Sequence, residues 1–181
     1  MPKAPPSTRI EATAALADPL ATDALGERIA AFLRSTGQGL NIHLCGDLGA
    51  GKTSLARAIL RGLGVTGRIK SPTFALVESY VVQIPSVLDI RQNLSLYCYH
   101  FDFYRFTDPR EWLDAGFREY FDGTALCLVE WPEKAAGSEH WPLPDLRITL
   151  EVVAQGRIAS LQAYSPRGAA CLAGAASCDP A

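Results

Sequence analysis

The chain has 181 residues, 48% of them hydrophobic, and a formal net charge of −2. That suffices for one domain with its own core, and it lacks the basic excess by which a free-standing protein grips RNA or DNA. No apolar run approaches the roughly 18 residues of a membrane span, and the opening MPKAPPSTRI lacks the apolar block of a leader, so a cytoplasmic location with no membrane or DNA partner is expected.

Residues 1–12 are proline-rich at their start and expected to be mobile. Thr22 is placed to cap a helix, ATDALGERIAAFLRSTG, that ends at Gly37 and buries Leu25, Ile29 and Leu33 at spacing four. NIHLC, residues 41–45, is short, apolar and flanked by glycines, and reads as a buried strand. A helix follows from Lys52 to about Arg61, stopped by Gly62 and Gly64.

Residues 73–82 (TFALVESYVV) and 97–104 (YCYHFDFY) are rich in β-branched and aromatic residues, and both read as strands. Between them VQIPSVLDIRQNLS is long for a hairpin loop, and part of it is expected to extend the two strands beyond the sheet. TDPREWLDAG carries a helix start, and FREYF reads as a short helical turn. ALCLV, residues 125–129, is continuously apolar and reads as a central strand closed by Glu130. Residues 146–154 alternate, with Ile148, Leu150 and Val152 on one side, Gln155-Gly156 turns, and 157–164 returns as a hairpin. The remaining GAACLAGAASCDPA is dominated by small residues, so 165–181 is expected to be a flexible tail after a domain spanning 13–164. The five cysteines form no CxxC, and Cys45, Cys98 and Cys127 in strand-like runs read as buried reduced thiols.

The chemistry concentrates in GDLGAGKTSLARAIL, residues 46–60, where Gly46, Gly51, Lys52 and Thr53 fill the pattern GxxxxGK[ST]. Its glycines let successive amides turn inward as an anion nest, and the helix behind adds its positive end. Lys52 supplies a point charge for outer phosphates, and the Thr53 hydroxyl can ligate magnesium. Asp47, Leu48, Gly49, Ala50 and Ser54 complete the loop around a nucleoside triphosphate, ATP with Mg2+. A random chain of this length matches the pattern at about one percent, and here a strand precedes it and a helix follows.

Such a loop needs an acid at the end of a neighbouring strand to hold the magnesium. Glu130 ends ALCLVE, and Asp102 lies within YHFDFYR. Either could instead be structural: Asp102 bonded to backbone or Arg105, Glu130 an acid ahead of a helix beginning at Pro132. Trp131 can stack on a base or fill the core, and Arg105 can reach a phosphate or neutralise Asp102. His100 and Asp102, two apart, share a strand face but lack a third metal ligand. His43 reads as a core or sheet-edge imidazole and His140 as a surface residue.

Four blocks in order, GDLGAGKTSLARAIL, IKSPTFALVESY, YHFDFYRF and ALCLVEWPEKA, resemble the TsaE (YjeE) family. The resemblance covers roughly residues 21–164. It implies an α/β P-loop NTPase domain with a mixed central β-sheet flanked by helices, and weak ATP hydrolysis in the service of tRNA threonylcarbamoyladenosine formation. The implied partners are the TsaD and TsaB proteins, with tRNA contacted only indirectly. It implies that Lys52, Asp102 and Glu130 are catalytic, that Thr53, Glu130 and Asp102 attend the metal, and that Trp131 lies near the nucleotide. Glu130 is favoured for the magnesium side and Asp102 for the attacking water. Ser71, Pro72 and Thr73 match a segment near the γ-phosphate, where Thr73 would sense its presence. The P-loop alone leaves two rivals: a small-molecule kinase, disfavoured because the insertion carries only Arg91, and a nucleotide-dependent binding module without hydrolysis.

Overall fold

The computed structural model describes residues 10–85 and 93–176. The expectations for residues 1–9, for Arg91 and for the tail beyond residue 176 lie outside them. The described strands are β1 (Glu11–Leu16), β2 (Asn41–Cys45), β3 (Val77–Pro85), β4 (Asn93–Asp102), β5 (Leu126–Glu130), β6 (Leu146–Val152) and β7 (Arg157–Ala163). They form one seven-stranded sheet ordered β1-β7-β6-β2-β5-β4-β3. β2 pairs in parallel with both β5 and β6, and β4 pairs in parallel with β5. The outer pairs β1–β7, β6–β7 and β3–β4 are antiparallel. The mixed sheet, the flanking helices and the β6–β7 hairpin all match the sequence reading.

Helices α1 (Pro19–Thr36), α2 (Lys52–Gly62) and α4 (Pro166–Ala176) contribute to the core on one face. Leu25, Ile29 and Leu33 of α1 are buried there against Ile42 and Leu44 of β2 and Leu126 and Leu128 of β5. The closeness of α1 and α2 rests on Gly26, where a Cβ would collide with Ala58. The other face, over β2, β5 and β4, is covered by an aromatic layer containing Phe101, Phe103, Trp112 and Phe117. Its scaffolding is α3 (Glu111–Asp114) with the 3-10 turns Phe117–Phe121 and Pro132–Lys134. His43, on the inner strand β2, is 1% exposed within this layer, its ring centroid 5.4 Å from that of Trp141.

Several boundaries differ from the sequence reading. The α1 cap is Asp18, whose Oδ1 accepts the Ala21 amide at 2.8 Å, with Pro19 at the first helical position; Thr22 lies a turn inside and is buried. β3 begins at Val77 because 72–76 forms a turn, closed by the Leu76 amide donating to Pro72 O at 2.6 Å, with Leu76 left-handed at φ 65°. β4 stops at Asp102, after which the Phe103 amide donates to Glu130 O. The described part of the insertion lengthens both strands, pairing Val82 with Leu96 through Pro85 with Asn93, past the last β4–β5 pair at Cys98. α3 is shorter than residues 107–116 suggest, because the Glu111 carboxylate takes the Thr107 and Asp108 amides as a turn ahead of it. On β6, Leu146, Ile148 and Leu150 are buried, whereas Val152 is exposed at the hairpin tip.

The largest correction concerns the tail. Residues 166–176 form α4, packed along α1, with Cys171, Leu172 and Ala175 buried. Ser165 caps it by accepting the Gly168 amide at 3.1 Å, and Pro166 takes the first helical position. Arg167 then fixes its start, donating to Gly123 O at 2.7 Å and pairing with Asp145 at 3.3 Å. Small residues here permit close helix packing rather than disorder.

Two predictions follow from this packing. Leu172→Ala should lower unfolding free energy by about 2–5 kcal/mol in urea titration, whereas a flexible tail would leave it unchanged. Burial, aided by the Arg147 charge, depresses His43 from its usual 6.5 to about 3. The unfolded chain therefore takes up that proton first. The contribution of neutral His43 is complete above its unfolded pKa and is lost as pH falls toward 3, at about 1.4 kcal/mol per pH unit. Stability curves at stepped pH should flatten by that slope in His43→Leu.

Candidate functional site

The carboxyl ends of β2, β5 and β4 lie side by side, with Leu44 opposite Glu130 and Glu130 opposite Asp102. The loop leaving β2 curls over these ends. Gly46, Gly49 and Gly51 adopt φ of 130°, 80° and 106°, and a Cβ on Gly46 would collide with Leu150 O. Such backbone lets the loop turn tightly over the strand ends, and α2 begins at Lys52 directly behind it.

Lys52 is 4% exposed. Its ammonium donates to Gly46 O at 2.6 Å and Asp47 O at 2.9 Å, and lies 3.8 Å from the centroid of the Trp131 ring. Burial lowers its pKa, against the opposing pull of Glu130, Glu133, Asp102 and Asp47. The Thr53 hydroxyl donates to Glu130 Oε2 at 2.9 Å, and His100 Nε2, when protonated, donates to Glu130 Oε1 at 2.8 Å. Glu130 and His100 are both buried. Asp102, also buried, accepts the Thr73 hydroxyl at 2.6 Å and the Tyr104 amide at 3.0 Å, and Ser71 Oγ lies 2.9 Å from Thr73 Oγ1.

Leu48, Gly49, Gly51, Lys52, Thr53, Ser54, Thr73, Asp102, Glu130 and Trp131 thus line one cavity of about 300 Å³, together with Tyr104 and Arg157. Among the anticipated residues, Asp47 contributes a carbonyl to Lys52, and Ala50 is buried in the core. Trp131 does two things at once: it packs beside the aromatic layer and faces Lys52. It follows Glu130 with left-handed φ and ψ of 57° and 47°, a conformation that costs a non-glycine residue about 1–2 kcal/mol.

Arg105 forms no ion pair with Asp102; it donates to Thr73 O at 3.0 Å and lies over the Phe74 ring. His100 bonds to Glu130 rather than forming a metal pair with Asp102, and no cluster of three or more His, Cys, Asp or Glu side chains placed for a metal occurs among the described residues. The oxygens of Thr53, Glu130 and Asp102 remain a suitable set for magnesium, which commonly takes one or two carboxylates and completes its shell with phosphate and water. A nearly buried ammonium facing only carbonyls and a ring suits an arriving anion.

A family model described as threonylcarbamoyl adenosine biosynthesis protein TsaE matches residues 16–159. The chain belongs to the TsaE family. The tRNA threonylcarbamoyladenosine biosynthesis protein TsaE of Haemophilus influenzae is 38% identical over 133 residues, 74% of this chain and 76% of that protein. The Bacillus subtilis protein of the same name is 39% identical over 114 residues, 63% of this chain and 62% of its own length. The crystal structure of Bacillus subtilis YdiB superposes with a TM-score of 0.64 at 26% identity, covering 93% of this chain and 94% of that one.

In this TsaE-family chain the sequence leaves three lining or supporting residues unassigned. His100 holds Glu130, Tyr104 donates its amide to Asp102, and Arg157 Nη2 lies 3.5 Å from Gly49 O. Only the parallel pairing of β4 with β5 brings His100 to Glu130, so local pattern carries no sign of it. Removing the imidazole leaves a buried carboxylate short of a partner. His100→Ala should lower stability by about 1–3 kcal/mol, and a double-mutant cycle with Glu130→Gln should show coupling of about 1 kcal/mol or more in urea unfolding.

Proposed function

We propose that this chain binds ATP with magnesium in the P-loop cavity and hydrolyses it slowly, as an accessory to threonylcarbamoyl modification of tRNA. The observation that carries the reading is the convergence of Lys52, Thr53, Glu130, Asp102 and Thr73 on one cavity at the strands' carboxyl ends. Family membership and relatives that carry the tRNA threonylcarbamoyladenosine biosynthesis name support the pathway.

In this reading the loop amides and the α2 N-terminus bind the phosphate chain, and the Lys52 ammonium exchanges its carbonyl partners for phosphate oxygens. Magnesium, when bound, would offset charge on the outer phosphates. Thr53 and Glu130 would hold it, with His100 fixing the Glu130 carboxylate in place. Asp102, set by Thr73 and Tyr104, would orient the attacking water, and its hydroxyl link lets Thr73 report the γ-phosphate to 71–76. Lys52 and Arg157 are the cationic side chains lining the cavity among the described residues, and Arg105 is engaged elsewhere. Transition-state charge left without a further cation keeps turnover low. Faster turnover would come with the proposed partners, TsaD and TsaB. The kinase alternative gains nothing from the insertion, whose described residues extend β3 and β4 and line no part of the cavity.

Calorimetry on the intact chain should register Mg-ATP and ADP, and Lys52→Ala should weaken ATP by about 100-fold. Asp102→Asn and Glu130→Gln should each cut the hydrolysis rate by about 100-fold or more while ADP binding persists, and EDTA should stop hydrolysis. Unchanged hydrolysis in both carboxylate variants would leave only a binding module. Capture of a TsaD–TsaB pair should depend on ATP.

A further inference from the structure

A second cavity, of about 310 Å³, opens on the aromatic face of the sheet and shares no lining residue with the first. Its floor comes from two parallel strands in register, with His43 opposite Arg147 and Cys45 opposite Thr149. Trp141 forms one wall, and the exposed Glu133 stands at its mouth.

Three polar atoms of this floor are unsatisfied, while the rest of the Arg147 guanidinium lies over the Tyr164 ring, 5.3 Å from its centroid. His43 is 1% exposed, and neither of its ring nitrogens has a hydrogen-bond partner among the described residues; the buried Arg147 Nε is equally without one. Each such group costs about 1–3 kcal/mol if nothing meets it, so three in one cavity call for an occupant. We propose that this cavity binds a small monocarboxylate, one oxygen accepting from Arg147 Nε–H and the other from the His43 ring. The Thr149 hydroxyl offers a further donor, and the Trp141 ring a flat wall for the ligand's body.

The charge count selects this class. His43 stays neutral to about pH 3, so Arg147 is the one formal cation on the floor. The exposed Glu133 at the mouth already offsets part of that charge, so a monocarboxylate brings one negative charge to the site and a phosphate dianion two, at greater cost in repulsion and desolvation. The volume lies at the small end of the range for ligand sites, about 300–1,000 Å³.

The test follows the His43 imidazole by NMR in the intact, histidine-labelled chain, titrated at constant ionic strength with acetate, benzoate or inorganic phosphate. Saturable shifts with acetate or benzoate are expected. Arg147→Ala should weaken them about tenfold or more, and Arg147→Lys, which keeps the charge but loses the Nε–H, should also weaken them. ADP binding in the first cavity verifies that each variant is folded. Absence of saturable shifts with either carboxylate would mean that the cavity holds only water and would overturn the proposal. Shifts that persist undiminished in both Arg147 variants, or tighter binding of phosphate than of the carboxylates, would also overturn it.

Discussion

An ammonium and two carboxylates are withdrawn from water within one small volume, and the architecture around them is organised to make that tolerable. Lys52, Asp102 and Glu130 are each less than 5% exposed. Isolated charges at such burial would neutralise or unfold the site. Here each charge meets specific partners: two loop carbonyls and a ring for Lys52, a threonine and a histidine for Glu130, a threonine and an amide for Asp102. The partners come from five separate segments, so the sheet must be assembled before the charges are satisfied.

The two faces of the sheet divide the work. One packs aliphatic side chains against α1, α2 and α4 and fixes the strand that feeds the loop. The other packs aromatic rings and sets the chain beyond β5, where Trp131 is held left-handed against Lys52. Stacked rings around Phe101 and Phe103, with Trp141 edge-on to Phe103, supply rigidity on that side. The strained backbone at Leu76 and Trp131 falls next to the residues that touch the cavity, which is where stored strain commonly gathers.

Much of this was legible from residue order. The loop pattern, the buried strand before it and the acid closing ALCLVE placed Lys52, Thr53 and Glu130 together, because chain direction and the parallel β2–β5 pairing leave little freedom. Local signals misled where two of them competed. Asp18-Pro19 and Ser165-Pro166 are the same cap-and-proline device, yet Thr22 drew attention in the first case and small-residue composition masked the second. Arg105 and His100 were not resolvable, since their partners, Thr73 and Glu130, lie 32 and 30 residues away and only tertiary packing chooses them.

The edge strand β1 has a consequence for how the protein is made. Glu11 pairs with Gln162, and their side chains bond across 151 residues of chain. Among the described strands β1 is made well before its partner, so it must wait, unpaired, until β7 has been synthesised. Until β7 arrives, β1 has no sheet neighbour, and its open backbone is a template for a stray chain. The alanine-rich face of β1, weakly hydrophobic and short, suits a segment that has to remain soluble through that interval.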